Sequence, residues 1–73
     1  MIILKNINKT DVDISADYYI EGREPKGFMR LRLADSKVVE HENAGYGSIH
    51  VKYELKRLAA MDNPPTEKTV LWY

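Results

Sequence analysis

The stretch Val12-Asp13-Ile14-Ser15-Ala16-Asp17-Tyr18-Tyr19-Ile20 decides the fold. Val12, Ile14, Ala16, Tyr18 and Ile20 alternate with Asp13, Ser15, Asp17 and Tyr19. A strict period of two, rich in β-branched and aromatic residues, predicts a strand with the first set turned to a core and the second to solvent. Upstream, residues 2–7 form its partner, reached through the polar turn Asn8-Lys9-Thr10-Asp11. Downstream, residues 21–27 hold two glycines and a proline and read as a loop. A third strand follows, with Met29, Leu31 and Leu33 inward and Phe28, Arg30 and Arg32 outward. A tight turn over residues 34–37 leads to a short fourth strand at residues 37–42. Connections this short suit hairpins and not crossovers, so the four strands make an antiparallel meander.

The pattern changes after Asn43-Ala44-Gly45-Tyr46-Gly47, where the glycines turn the chain out of the sheet. Strand alternation is lost, and Glu54, Leu55, Lys56, Arg57, Leu58, Ala59 and Ala60 are strong helix formers. A helix is expected from about residue 47 to 61, capped by Ser48 or the residue before it and stopped by Pro64 and Pro65. Thr69-Val70-Leu71-Trp72-Tyr73 reads as a further strand. The expected architecture is α+β: an antiparallel four-stranded β-meander, one α-helix packed on one sheet face, and a C-terminal fifth strand, in a single domain over residues 1–73. Its core comprises Ile14, Ala16, Tyr18, Met29, Leu31, Leu33, Val51, Leu55, Leu58 and Trp72. Across the hairpin between the second and third strands, pairing in which residue numbers sum to 47 sets Asp17 against Arg30, Tyr19 against Phe28 and Ser15 against Arg32.

At about 100° per residue the helix carries two apolar arcs. Val51, Leu55 and Leu58 form the core stripe; Tyr46, Ile49, Tyr53 and Ala60 form a second, roughly opposite arc. Lys52 and Lys56 separate the arcs on one side, and His50, Glu54 and Arg57 on the other. A single sheet and helix can bury only one stripe fully. The second arc, together with Trp72 and Tyr73, is apolar area beyond the needs of so small a core.

Composition narrows the function. Eleven Lys and Arg balance eleven Asp and Glu, so no global field attracts nucleic acid or an anionic membrane. With no cysteine there is no thiolate nucleophile, disulfide or cysteine-based metal site. No apolar run is long enough to cross a bilayer, and a cytoplasmic protein is expected. Ordering each of 73 residues opposes apolar burial with nearly equal free energy, so a domain of this size relies on efficient packing or self-association.

The residues that carry most chemistries are poorly placed for them. Glu40, His41 and Glu42 are consecutive on a strand and point to opposite faces. His50 stands too far along the helix from Asp62 to share an ion with it, and both histidines read as solvated. Ser48 and His50 lie about 200° apart on a helix, which keeps nucleophile from base. Asp13, Asp17 and Glu21 share an open sheet face that supplies no pKa-raising cleft and pair more simply with Arg30 and Arg32. The Gly45-Tyr46-Gly47-Ser48 turn lacks a phosphate-loop lysine. No catalytic constellation, metal or cofactor is expected.

Lys26-Gly27-Phe28 resembles the opening of the RNP1 motif of RNA-recognition motifs. Met29 stands where that motif has Gly or Ala, and Arg30 and Leu33 replace its later aromatics. The chain also has one helix where that fold has two, so the family is not assigned. What remains is an outward face with Tyr19, Phe28, Arg30 and Arg32, an alternative single-stranded nucleic-acid surface. The favoured reading is a protein-interaction or self-associating module, binding a protein partner or forming a homodimer through Tyr46, Ile49 and Tyr53 or through Trp72 and Tyr73 on a sheet-edge strand.

Overall fold

The computed structural model describes residues 1–71. In chain order the elements are β1 (Ile2–Lys9), β2 (Asp13–Ile20), β3 (Arg23–Arg32), β4 (Val38–Glu42), α1 (Ser48–Ala59) and β5 (Lys68–Val70). The strands form one antiparallel sheet in the order β4-β3-β2-β1-β5. After the helix the chain returns to pair β5 with the free side of β1, setting Ile2 opposite Val70 and Leu4 opposite Lys68. This is the α+β meander expected from the alternation in residues 12–20, with the fifth strand at a sheet edge. Trp72 and Tyr73 lie outside the described residues.

The second hairpin is tighter than its sequence suggested. Glu21 and Gly22 alone make the turn, with φ of 54° and 71°, and Ile20 faces Arg23 across it. Two successive left-handed residues match the twist of flanking strands, which makes this the preferred two-residue hairpin geometry. Residues 23–27 therefore belong to β3, Pro25 included, and the irregularity they need is a register shift between Tyr18 and Ile20. The pairing consequently sums to 45: Asp13 faces Arg32, Ser15 faces Arg30 and Asp17 faces Phe28. That replaces the Asp17–Arg30, Tyr19–Phe28 and Ser15–Arg32 pairs. A shift of two residues preserves side-chain parity, so Ile14, Ala16, Tyr18 and Ile20 remain inward, although Ser15, expected toward solvent, is buried at 7 % exposure.

A second irregularity sits in β1. The register passes from Lys5–Asp17 to Asn8–Ser15, and Asn6 takes a φ of 54°. Asparagine tolerates this conformation better than most residues, and here its Nδ2 donates to Asp17 Oδ2 at 2.8 Å. The extra residue brings both Leu4 and Ile7 to the inner face, which an unbroken period of two could not do.

The core lies between the sheet and α1. Ile14, Ala16, Tyr18, Met29, Leu31, Val51, Leu55 and Leu58 are buried as expected, and Ile2, Leu4, Ile7 and Ile20 join them. Each such aliphatic side chain contributes about 1.5–3 kcal/mol when fully removed from water. Leu33 is only partly buried against this cluster. Val12 is 66 % exposed, because β2 begins one residue later and Val12 belongs to the turn.

The helix runs two residues shorter at its C-terminal end than expected, Ala60 being its cap. At its start Gly47, with φ 85° and no side-chain cap, makes the entry. Gly45 and Gly47 both occupy the left-handed region, as a turn from sheet to helix requires.

Candidate functional site

The two apolar arcs of α1 meet different fates. Val51, Leu55 and Leu58 are at most 2 % exposed, whereas Ile49 and Tyr53 are 55 % and 61 % exposed. Residues 49 and 53 stand one turn apart at the centre of the outward face, where side chains at i and i+4 are neighbours. Tyr46, just before the helix, is 65 % exposed. Glu54 is buried, and Arg57 satisfies it with hydrogen bonds of 2.9 and 3.0 Å. Lys52 and Lys56 flank the outward stripe on one side, and neither takes part in an ion pair among the described residues. The outer surface of α1 is therefore an aliphatic and an aromatic side chain bordered by uncompensated positive charge.

An open concavity of about 430 Å³ adjoins this surface at the helix N-terminus, lined by Glu21, Tyr46, Gly47, Ile49 and His50. Glu21, the acidic group in it, holds the α-amino group of Met1 in an ion pair. A smaller concavity of about 230 Å³ lies on the opposite sheet face between Ile3, Lys5, Tyr19, Gly22 and Glu24.

The outward sheet face collects the alternative candidates Tyr19, Phe28 and Arg30, with Arg32 at its margin. Columns of opposite charge alternate across it. Arg30 on β3 lies between Asp13 on β2, at 3.3 Å, and Glu40 on β4, at 3.2 Å. These two carboxylates, Asp13 first, hold the guanidinium more firmly protonated than usual. Its carbon also sits 5.4 Å from the Phe28 ring centroid. Lys26 pairs with Asp17 at 3.6 Å, and Lys5 lies 5.6 Å over the Tyr19 ring. Arg32 turns away to grip Asp35 through two bonds of 2.9 and 3.1 Å. Phe28 and Tyr19 are thus covered by cations, and Lys26, Arg30 and Arg32 are each paired with a carboxylate, so phosphate contact at those three would require breaking existing pairs.

Tyr18 and His41 form a pairing the sequence did not disclose. The Tyr18 ring is fully buried, and its hydroxyl meets His41 Nε2 at 2.7 Å and the Glu42 carbonyl at 3.3 Å, while accepting from the Ala44 N–H at 3.4 Å. Burial raises the phenol's pKa, partly offset by the Ala44 N–H. His41, exposed at the sheet edge, is thereby bonded to the core rather than simply solvated. Only the true register reveals this, because it places His41 opposite Met29 on the helix side of the sheet. Glu40 and Glu42 take the other face, and among the described residues no three His, Cys, Asp or Glu gather as metal ligands. No helix among them is long and apolar enough to cross a membrane.

Comparison with family models, with curated proteins and with solved structures finds no match.

Proposed function

We propose that this domain is a non-enzymatic protein-interaction module whose contact surface is the outward face of α1. One observation carries the reading: Ile49 and Tyr53 stay more than half exposed on the same helix whose other stripe is sealed in the core. Isolated apolar residues on a surface are ordinary, but two adjacent large ones on a rigid helix are the geometry of helix-face recognition. Edge strand β5 offers a second route to the same end, since Leu71 beside it is 63 % exposed and sheet edges accept added strands. The partner is a second protein or a second copy of the chain.

The test compares wild type with an Ile49→Glu/Tyr53→Glu variant in two measurements. Light scattering behind a sizing column reports self-association, and affinity capture from the source cell reports hetero-partners. The expected result is a dimer, or a captured species, that the variant loses. A monomer at high concentration with identical captures by both proteins refutes the reading.

A further inference from the structure

The charge around the exposed helix stripe identifies the kind of partner it fits. We infer that the Ile49–Tyr53 stripe, with Lys52 and Lys56 along its border, docks an acidic amphipathic segment of another protein, an inference that rests on the interaction reading above. Lys52 and Lys56 are four residues apart and so lie on one flank of α1, separated by one helical turn. Two like charges so placed repel each other, and no carboxylate among the described residues relieves them. The remaining cation of that helical turn, Arg57, is committed to Glu54 on the other flank. The stripe and its border thus present two apolar anchors one turn apart beside two free ammonium groups one turn apart. A helix or turn carrying apolar residues at i and i+4 and carboxylates on one side complements both features at once.

The same charges disfavour a second copy at this site. Antiparallel packing of two α1 helices about Tyr53 brings equivalent flanks together, setting Lys52 and Lys56 of one molecule against those of the other. Like charges in such flanking positions select against self-pairing. Acidic side chains on a foreign helix turn that repulsion into attraction.

The experiment titrates the 73-residue chain, isotopically labelled for NMR, with a synthetic amphipathic peptide of leucine and glutamate. A second peptide carries glutamine in place of every glutamate. The expected result is saturable shifts at the amides of residues 49–56 with the glutamate peptide and binding about five- to tenfold weaker with the glutamine peptide. High salt is expected to erase that difference. A Lys52→Glu/Lys56→Glu variant, verified as folded by circular dichroism, should lose the preference, and Lys52→Arg/Lys56→Arg should keep it. Equal binding of the two peptides, shifts centred elsewhere, or no binding overturns the inference. So does concentration-dependent self-association through residues 49–56, or binding to phosphatidylserine vesicles with both peptides ignored. If the peptides fail while the Ile49→Glu/Tyr53→Glu variant still loses a captured protein, the interaction reading stands and only the acidic partner falls.

Discussion

Tyr18 faces Gly27 across the β2–β3 pair, and its ring fills the space that a side chain at Gly27 would need. A Cβ there would lie 2.6 Å from Tyr18 Cε1 and 2.8 Å from the Ala44 Cβ. Gly27 is required for this close approach, not for an unusual backbone angle. Gly27→Ala should therefore destabilise the domain by about 1–3 kcal/mol, the range for forcing a methyl into a packed site. Equilibrium urea unfolding measures it, and a variant as stable as wild type would show that the ring is not seated there.

The hydroxyl end of the same ring makes a separate prediction. Tyr18→Phe keeps the packing but removes the partner shared by His41, the Glu42 carbonyl and the Ala44 N–H. Loss of a partly buried hydrogen-bonded hydroxyl should cost about 1–2 kcal/mol. The damage should be local. Amide exchange at Ala44 should quicken, while amides at the β1–β2 centre follow only the global change. Uniform acceleration across the sheet would mean that the network does not specifically pin β4 to the core.

Asp35 gives the domain a defined acid response. Its bond to Arg32, with smaller help from the Lys37 N–H, holds its pKa at about 2, against an ordinary value of 3.8. A carboxylate with a depressed folded-state pKa stabilises the fold above its unfolded value and loses that contribution as the pH falls through the folded one. The contribution is thus full above 3.8 and fades toward about 2. Direct NMR titration of the Asp35 carboxyl should find the low midpoint. Asp35→Asn should flatten the stability profile across that window, and high salt should do so partly, because the pair is exposed. An ordinary midpoint for Asp35 would refute the assignment.

The parts of this architecture legible in the sequence were those governed by parity. Alternation in residues 12–20 separated Ile14, Ala16 and Tyr18 from Asp13, Asp17 and Tyr19, and no shift of two residues could undo it. Register depends instead on turn conformation. Glu21 in a left-handed conformation is unusual for a non-glycine residue, so Glu21-Gly22 did not announce a two-residue turn. The bulge at Asn6 was equally silent, although Leu4 and Ile7, three apart and both apolar, hinted that the period breaks between them. The Tyr18–His41 bond depends on the β3–β4 pairing of Met29 with His41, for which the sequence offered no register. Both helix arcs, by contrast, were readable from angular position alone, since the helix has no register to mistake. That is also why Lys52 and Lys56 could be placed on a flank before their lack of ion-pair partners was visible.

The helix arcs supply the decisive contrast between folding and recognition. Leu55 is fully buried and packs in the core, so Leu55→Ala should cost about 2–5 kcal/mol through lost transfer energy and an unfilled cavity. Tyr53, two residues earlier and so about 200° round the same helix, is 61 % exposed. Tyr53→Ala should change stability by no more than about 0.5 kcal/mol, since alanine's better helix propensity offsets the little packing removed. Thermal and urea unfolding of the two variants measure the difference. If Tyr53→Ala destabilised the domain as severely as Leu55→Ala, the outward arc would belong to the folding machinery. A small effect, combined with loss of a bound partner, separates the surface that holds the helix to the sheet from the surface available to another molecule.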